Sequence, residues 1–198
     1  MPVDRRDLRR RLFNLAAEQA GYFTAAQAKS LGYSYQVQAH HVGVGNWLRI
    51  DRGIFRLAEW LPNVHDDLAR WILWSKGRAV VSHETALSVH DIGEFESAQV
   101  HLTVPPGFTM RDDALVLHWA ELPDTDVVDR TGFRITSVVR SIVDVAALGA
   151  DEEQLSRIIT EAQEKGILTT RFLRARAEAV DVRAALIIER ALGRREVT

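Results

Sequence analysis

The 198-residue sequence contains no cysteine, and this absence excludes several kinds of chemistry. Disulfide bonds, thiolate zinc sites and cysteine nucleophiles are all ruled out. No apolar run approaches the roughly 18 residues that a membrane helix needs. The charged start MPVDRRDLRRRLF also lacks the apolar segment of a signal peptide. We therefore expect a cytoplasmic protein with no membrane partner.

Basic and acidic residues are distributed unevenly along the chain. Up to Pro62 there are nine Lys+Arg and five Asp+Glu, whereas the remainder has sixteen basic and twenty-two acidic residues. Apolar residues make up 46% of the sequence, which is enough for a folded core and argues against disorder. A basic first part and an acidic second part predict two domains with different partners, at 1–62 and 63–198. Ordinary surface variation is the alternative explanation.

Two helices are predicted at the start of the first part. The first spans about Arg6 to Ala20 and ends at Gly21, since glycine tolerates the left-handed conformation past a helix end. Arginines crowd its N-terminal half, where the helix dipole disfavours them, so they indicate either phosphate contacts or a solvated face. The second helix spans Ala25 to Leu31. Thr24 and Gln27 have the spacing of a capping box at its start.

A third helix is predicted from its N-cap, Ser34, to about Val44. Val37, His41 and Val44 are expected to share the face that packs on the core. In a helix-turn-helix the N-terminal part of the second helix enters the major groove, where glutamine can contact adenine with two hydrogen bonds. The residues expected to reach base edges are Tyr35, Gln36, Gln38 and His40.

The sequence WLRIDRGIFRL predicts a β-hairpin after the third helix, with Gly53 in the turn. Arg49, Arg52 and Arg56 place cations on and around this hairpin. Such a ribbon can set guanidinium groups against phosphates or into a minor groove. With Arg6 and Arg10 of the first helix, these arginines are expected to hold the DNA backbone, so the first part is predicted to be a winged helix-turn-helix.

The second part mixes strands and helices without regular alternation. QVHLTVPPG, ALVLHWAEL and GFRITS predict strands, and VVRSIVDVAALG predicts a helix. Three more helices are predicted near 152–165, 170–179 and 182–192. The expected fold class is α+β, in which a winged helix-turn-helix precedes a mixed α/β domain with a helical C-terminus.

The sequence offers little support for an enzyme as an alternative to a DNA-binding protein. His83 and His90 lie about two turns, roughly 10 Å, apart on one predicted helix, too far for one metal ion. His101 and His118 alternate with apolar strand residues and are expected to be satisfied, partly buried side chains. A nuclease would need spaced carboxylates and a lysine near a strand, whereas the helical tail offers only Lys165. We expect no enzyme activity, no metal site and no cofactor.

Four blocks in order resemble the AbiEi-type antitoxins of type IV (abortive infection) toxin–antitoxin systems. The blocks are NWLRIDRGIFRL, VVSHETALSVHDIGE, VHLTVPPG and LVLHWAELPDTDVVDRTGFRITSVVRSIVDVA. The resemblance covers roughly Tyr22 to Leu148. Thr136, Arg140 and Asp144 match the family's threonine–arginine–aspartate helix pattern. Ser141 departs from it, because the family more often has threonine there.

The resemblance implies an autorepressor that binds double-stranded operator DNA and counteracts a nucleotidyltransferase toxin, without requiring a stable complex with it. A palindromic operator would require two copies, which need not touch off DNA. Thr136, Arg140 and Asp144 are then expected to be structural in the second domain, although Arg140 and Asp144 could form only a weak intrahelical pair. Two alternatives remain: a stand-alone regulator without a toxin, and a winged helix that binds protein.

Overall fold

The computed structural model describes residues 4–95 and 98–193, which form two compact units. The first unit contains the described residues up to Ala79 together with Asp129–Phe133. The second contains Val80–Val128 and the described residues from Arg134 onward. The helix that follows the predicted boundary at Pro62 lies in the first unit. Within the described ranges, none of the helices has the length and hydropathy of a membrane span.

The first unit has the element order of a winged helix-turn-helix. Its elements are α1 (Arg5–Ala17), β1 (Tyr22–Thr24), α2 (Ala25–Leu31), α3 (Tyr35–Gly43), β2 (Trp47–Asp51), β3 (Ile54–Leu57) and α4 (Asp67–Trp74). The three strands form an antiparallel sheet in the order β1-β3-β2. Strand β1 is not predictable from the sequence, because three residues are too few to show a strand pattern.

Local chemistry explains where the short helices begin and end. The capping box at α2 is present: the Thr24 side chain accepts from the Gln27 amide at 3.1 Å, and Gln27 accepts from the Thr24 amide at 2.7 Å. Gly32 ends α2 with a φ of 117°, which favours glycine. The Ser34 side chain accepts a hydrogen bond from the Val37 amide and caps α3.

Aromatic side chains form the centre of the first unit. The Phe23 and Trp47 rings meet edge to face, with centroids 4.8 Å apart, and Phe55 packs beside both. Leu12 and Ala16 of α1 are buried against this cluster. The hairpin of β2 and β3 is therefore anchored to the helices through its buried aromatic residues.

The second unit is built on a five-stranded sheet in the order β6-β5-β4-β8-β7. Strand β4 is antiparallel to β5 and parallel to β8, and β5 is parallel to β6. The remaining elements are β4 (Val80–Val81), α5 (His83–Val89), β5 (Val100–Val104), β6 (Leu115–Trp119), β7 (Val127–Arg130), β8 (Phe133–Thr136), α6 (Val138–Ala147), α7 (Glu152–Glu164), α8 (Thr170–Val180) and α9 (Val182–Gly193). The α+β class and the helical C-terminus are confirmed.

Helix α6 is the central element of the second unit's core. Every residue from Val138 to Ala146 is buried, including the polar ones. Helices α5, α7, α8 and α9 pack around it. Ile142 and Val143 lie in one apolar cluster with Leu155, Ile159 and Ile188. A helix buried on all sides must satisfy its polar side chains internally, and α6 does so for Arg140, for Ser141 and for one carboxylate oxygen of Asp144.

Candidate nucleic-acid interface and a buried histidine cluster

Helix α3 presents an exposed surface that contains three of the four residues predicted to read bases. Tyr35 is 61% exposed, and Gln36 and His40 are also exposed. Lys29 of α2 lies beside this surface, with its Nζ atom 4.8 Å from the centroid of the Tyr35 ring. The arrangement offers hydrogen-bonding groups and a positive charge on one face, which are the groups that base edges and phosphates contact.

The prediction that Gln38 reads bases is wrong. Its side chain is 3% exposed. Its Nε2 atom donates to the backbone oxygen of Ala25 at 3.0 Å and to that of Tyr33 at 2.9 Å. The carboxamide joins α3 to the start of α2 and to the turn between them, because it satisfies two carbonyl groups there. Gln38 is therefore a structural residue of the helix-turn-helix.

The predicted core face of α3 also requires correction. Val37 is 40% exposed and Val44 is 54% exposed, so neither packs on the core. His41 is half-buried, and its ring stacks on that of Trp47 with centroids 4.7 Å apart. Gln38 takes an inward position on α3 because its amide has backbone partners there.

The hairpin of β2 and β3 carries the wing arginines in two different environments. Arg49 and Arg52 are exposed, and the Arg49 guanidinium lies 5.8 Å from the centroid of Phe55. Arg56 is half-buried and lies 5.7 Å from the Tyr22 ring. Gly53 in the turn has a φ of 75°, as the turn type requires. Arg49 and Arg52 are accessible to phosphates, whereas Arg56 also packs within the first unit.

Two of the arginines of α1 form surface ion pairs. Arg10 contacts Asp7 at 2.7 Å, and Arg9 contacts Glu59 at 2.8 Å. Arg6 is exposed. Exposed pairs contribute little stability and exchange easily, so they leave these cations able to meet a phosphate.

Polar side chains of the second unit form a buried network around Arg140. Its Nε atom donates to Asp144 at 2.7 Å, and its guanidinium donates to Asp126 at 2.9 Å. Arg176 of α8 donates to both oxygens of the same Asp126. Burial raises the pKa of Asp144 to about 6, against the opposing effect of Arg140. Thr136 lies nearby and shares a hydrogen bond of 2.7 Å with Ser141.

This network extends the pattern that the sequence indicated. The family pattern indicates Thr136, Arg140 and Asp144, whereas nothing in the sequence indicates Asp126 and Arg176. Both are distant in sequence from α6, and only the packing of α8 brings Arg176 to Asp126. The buried geometry favours the structural role expected for these residues over a weak surface pair.

Three histidines of the second unit also meet, although the sequence placed them apart. His83 is the first residue of α5, His101 lies on β5 and His118 lies on β6. Their ligand nitrogens all lie within 4.8 Å of one another. Along the sequence, His83 has only His90 as a neighbouring histidine on its own predicted helix. The register of β5 and β6 decides the actual grouping, and no motif spacing reveals it.

The geometry of the first unit defines a winged-helix protein of the kind that binds nucleic acid. Residues 10–58 match the model of a family described as "Transcriptional regulator, AbiEi antitoxin". The resemblance to AbiEi-type antitoxins is therefore confirmed over these residues, and it supports a role as a regulator or antitoxin. The blocks of the resemblance beyond residue 58 lie outside this match.

The fold of the chain is similar to a solved structure, the crystal structure of the RV2827C protein from Mycobacterium tuberculosis. The two share a TM-score of 0.58 and 11% sequence identity, over 92% of this chain and 76% of that chain. At this identity the likeness concerns the fold alone. A search of curated proteins found no match to this sequence.

Proposed function

We propose that this protein is an antitoxin-type transcriptional repressor that binds double-stranded DNA in its own promoter. The observation that carries the proposal is the exposed surface of α3 beside an arginine-bearing wing within one compact unit. Tyr35, Gln36 and His40 would contact base edges, and Arg49 and Arg52 would hold phosphates. Arg6 and Arg10 would add backbone contacts, and Arg56 would support the wing from its half-buried position.

The second unit would supply the antitoxic function. This part of the proposal rests on the family resemblance, in which the partner gene encodes a nucleotidyltransferase toxin. The buried network around Arg140 would hold the unit in shape, leaving an outer surface to act against the toxin with or without a stable complex. A neighbouring gene without nucleotidyltransferase motifs would instead favour a stand-alone regulator.

Titration of the promoter DNA at two salt concentrations tests the DNA-binding part. If about five phosphates are neutralised, affinity should fall at least about a hundredfold between 50 and 200 mM salt. A scrambled duplex of the same length gives the non-specific baseline. Absence of promoter binding at 50 mM salt would contradict the proposal.

One observation favours a second candidate function, a winged helix that binds protein. Val37, Val44 and Leu48 are exposed in and just after α3. Together they give the exposed surface of α3 an apolar component that DNA contacts do not need. A protein-binding module would bind promoter and scrambled duplexes with equal, weak affinity, so the same titration separates the two functions.

A further inference from the structure

Three imidazoles from three different elements meet in the second unit. The Nε2 atom of His118 lies 3.1 Å from Nδ1 of His101, and the rings of His83 and His118 stack with centroids 3.5 Å apart. We propose that His83, His101 and His118 bind one divalent transition-metal ion, with Zn²⁺ as the best-suited ion. This site is separate from the proposed DNA-binding surface and does not depend on it.

The strand register creates this cluster. In the parallel pair of β5 and β6, Thr103 lies opposite His118, and His101 lies two residues before Thr103. Side chains two residues apart on a strand share a face, so His101, Thr103 and His118 lie on the same side of the sheet. Helix α5 begins directly after β4, the other neighbour of β5, and so places His83 over that face.

The nitrogen separations fit a metal site after ring rotations that also open the stack of His83 on His118. Tetrahedral Zn²⁺ with Zn–N bonds of about 2.0–2.1 Å separates its nitrogen ligands by about 3.4 Å. The observed separations run from 3.1 Å between His118 and His101 to at most 4.8 Å within the cluster. Ring rotations that move the outermost nitrogen by about 1.4 Å, and that turn the stacked rings of His83 and His118 edge-on to the ion, would complete the coordination.

The protonation states also suit metal binding. A histidine ligand must be neutral. Burial lowers the pKa of His83 to about 2 and that of His118 to about 4, and burial also lowers the pKa of His101. All three imidazoles are therefore uncharged at neutral pH. The close contact of His118 with His101 then joins an N–H donor to a bare ring nitrogen. An ion could lie between these two nitrogens once that proton moves to the other nitrogen of its own ring, which keeps both imidazoles neutral.

Glu84 and Arg140 are charged groups that act on the histidine cluster. Glu84 acts on His101 and favours positive charge there. Arg140 acts on His83 in the opposite direction, but its guanidinium is paired with Asp126 and Asp144. The ion pairs reduce the repulsion that Arg140 alone would exert on a bound ion.

Two neighbouring hydroxyl groups provide the support that metal sites require. The Ser82 Oγ atom lies 2.9 Å from Nδ1 of His83, which orients the ring and leaves its Nε2 atom available. Thr103 is 2% exposed, and its Oγ1 atom is buried without a hydrogen-bond partner among the described residues. Its position on the face that bears His101 would let it accept a hydrogen bond from a water on the ion.

The ligand set indicates the class of ion. Three imidazoles suit Zn²⁺, Cu²⁺, Ni²⁺ and Co²⁺, whereas Mg²⁺ and Ca²⁺ prefer oxygen ligands. Such an ion would cross-link α5, β5 and β6, and because it binds the folded protein it would stabilise the second unit.

The full-length protein, freed of metal with EDTA, tests this proposal by calorimetric titration with Zn²⁺ and by the absorption spectrum of added Co²⁺. We expect one tight site per chain and a rise in Tm with Zn²⁺. His101→Gln and His118→Gln should each weaken Zn²⁺ binding by more than about tenfold. Removing only a hydrogen-bond partner of a ligand already costs about that much, and these variants remove a ligand itself. They should also abolish the rise in Tm.

The matched control is His65→Gln, which removes a histidine of the first unit that belongs to neither proposed site. It should bind Zn²⁺ like the wild type. Loss of the site in this control, unchanged affinity in His101→Gln and His118→Gln, or no binding by the wild type would each overturn the proposal. If a glutamine variant lacks the wild-type circular dichroism spectrum, NMR of the wild-type protein with added Zn²⁺ tests the proposal instead. Zn²⁺ must then shift the ring nitrogens of His83, His101 and His118, and unshifted signals there would refute the site.

Discussion

The Nε atom of Arg140 donates a hydrogen bond to Oδ1 of Asp144 at 2.7 Å, and each side chain is only 8% exposed. The chain offers a matched pair with the same spacing on an exposed helix face. Arg157 lies 3.9 Å from Glu153, and their side chains are 73% and 67% exposed. Identical sequence spacing thus places one ion pair in the core and the other in solvent.

Truncating Arg140 should destabilise the protein far more than truncating Arg157. Arg140→Ala leaves the buried carboxylate of Asp144 without its cation and leaves Asp126 with Arg176 alone, so we expect a loss of about 3–5 kcal/mol in unfolding free energy. Arg157→Ala should change it by less than about 0.5 kcal/mol. Urea denaturation of the two variants measures both values, and equal losses would contradict the structural role of Arg140.

Asp144 should make stability depend on pH. Because burial raises its pKa to about 6, the folded protein binds a proton at pH values where the unfolded chain, with a pKa of about 3.9, does not. This contribution is fully present below about pH 4 and is lost as pH rises through 6. The stability of the wild type relative to Asp144→Asn should therefore fall by about 2–3 kcal/mol between pH 4 and 7. Urea denaturation at both pH values measures it, and a constant difference would refute the raised pKa.

Gln36 and Gln38 should separate DNA binding from folding. Gln38→Ala removes two hydrogen bonds to backbone carbonyls and should cost about 1–3 kcal/mol of stability. Gln36→Ala should leave the Tm nearly unchanged but weaken promoter binding, by about 1–3 kcal/mol if Gln36 contacts a base. Thermal melts and DNA titrations of both variants test this. A stable Gln38→Ala protein that has lost only DNA affinity would reverse our assignment.

The exposed wing arginines should contribute to the salt dependence of DNA binding. Arg49→Ala/Arg52→Ala should lower affinity for all sequences and reduce the salt slope by about two phosphate contacts. Arg157→Ala/Arg171→Ala removes the same charge from exposed positions of the second unit and should preserve the slope. Equal slopes in the two double variants would show that net charge, and not the wing, governs binding.

Adding Arg56→Ala to the wing variant tests the division of functions between the units. The triple variant Arg49→Ala/Arg52→Ala/Arg56→Ala should lose repression of its promoter while it keeps any antitoxic activity. A reporter gene measures repression, and growth during expression of the proposed nucleotidyltransferase partner measures antitoxicity. Loss of both functions in a protein that retains its circular dichroism spectrum would contradict the division.

Helix limits were predictable where local chemistry sets them. Thr24, Gln27 and Gly32 define α2 through hydrogen bonds within a few residues, and these interactions depend little on the rest of the fold. The inward face of α3 was not predictable in this way. Its sequence YQVQAHHVG mixes polar and apolar residues at nearly every position, so periodicity gives no reliable core face.

The amino-acid sequence by itself determined the winged helix-turn-helix, the α+β class and most strands and helices of the second unit, because caps, turns and apolar periodicity are local signals. Strand β7 (Val127–Arg130) was not predicted. Tertiary structure decided which side chains meet. It placed Gln38 inside, joined Asp126 and Arg176 to Arg140, and brought His83, His101 and His118 together. These groupings depend on strand register and helix packing between distant segments, and a one-residue change of register would turn His118 to the opposite face of the sheet.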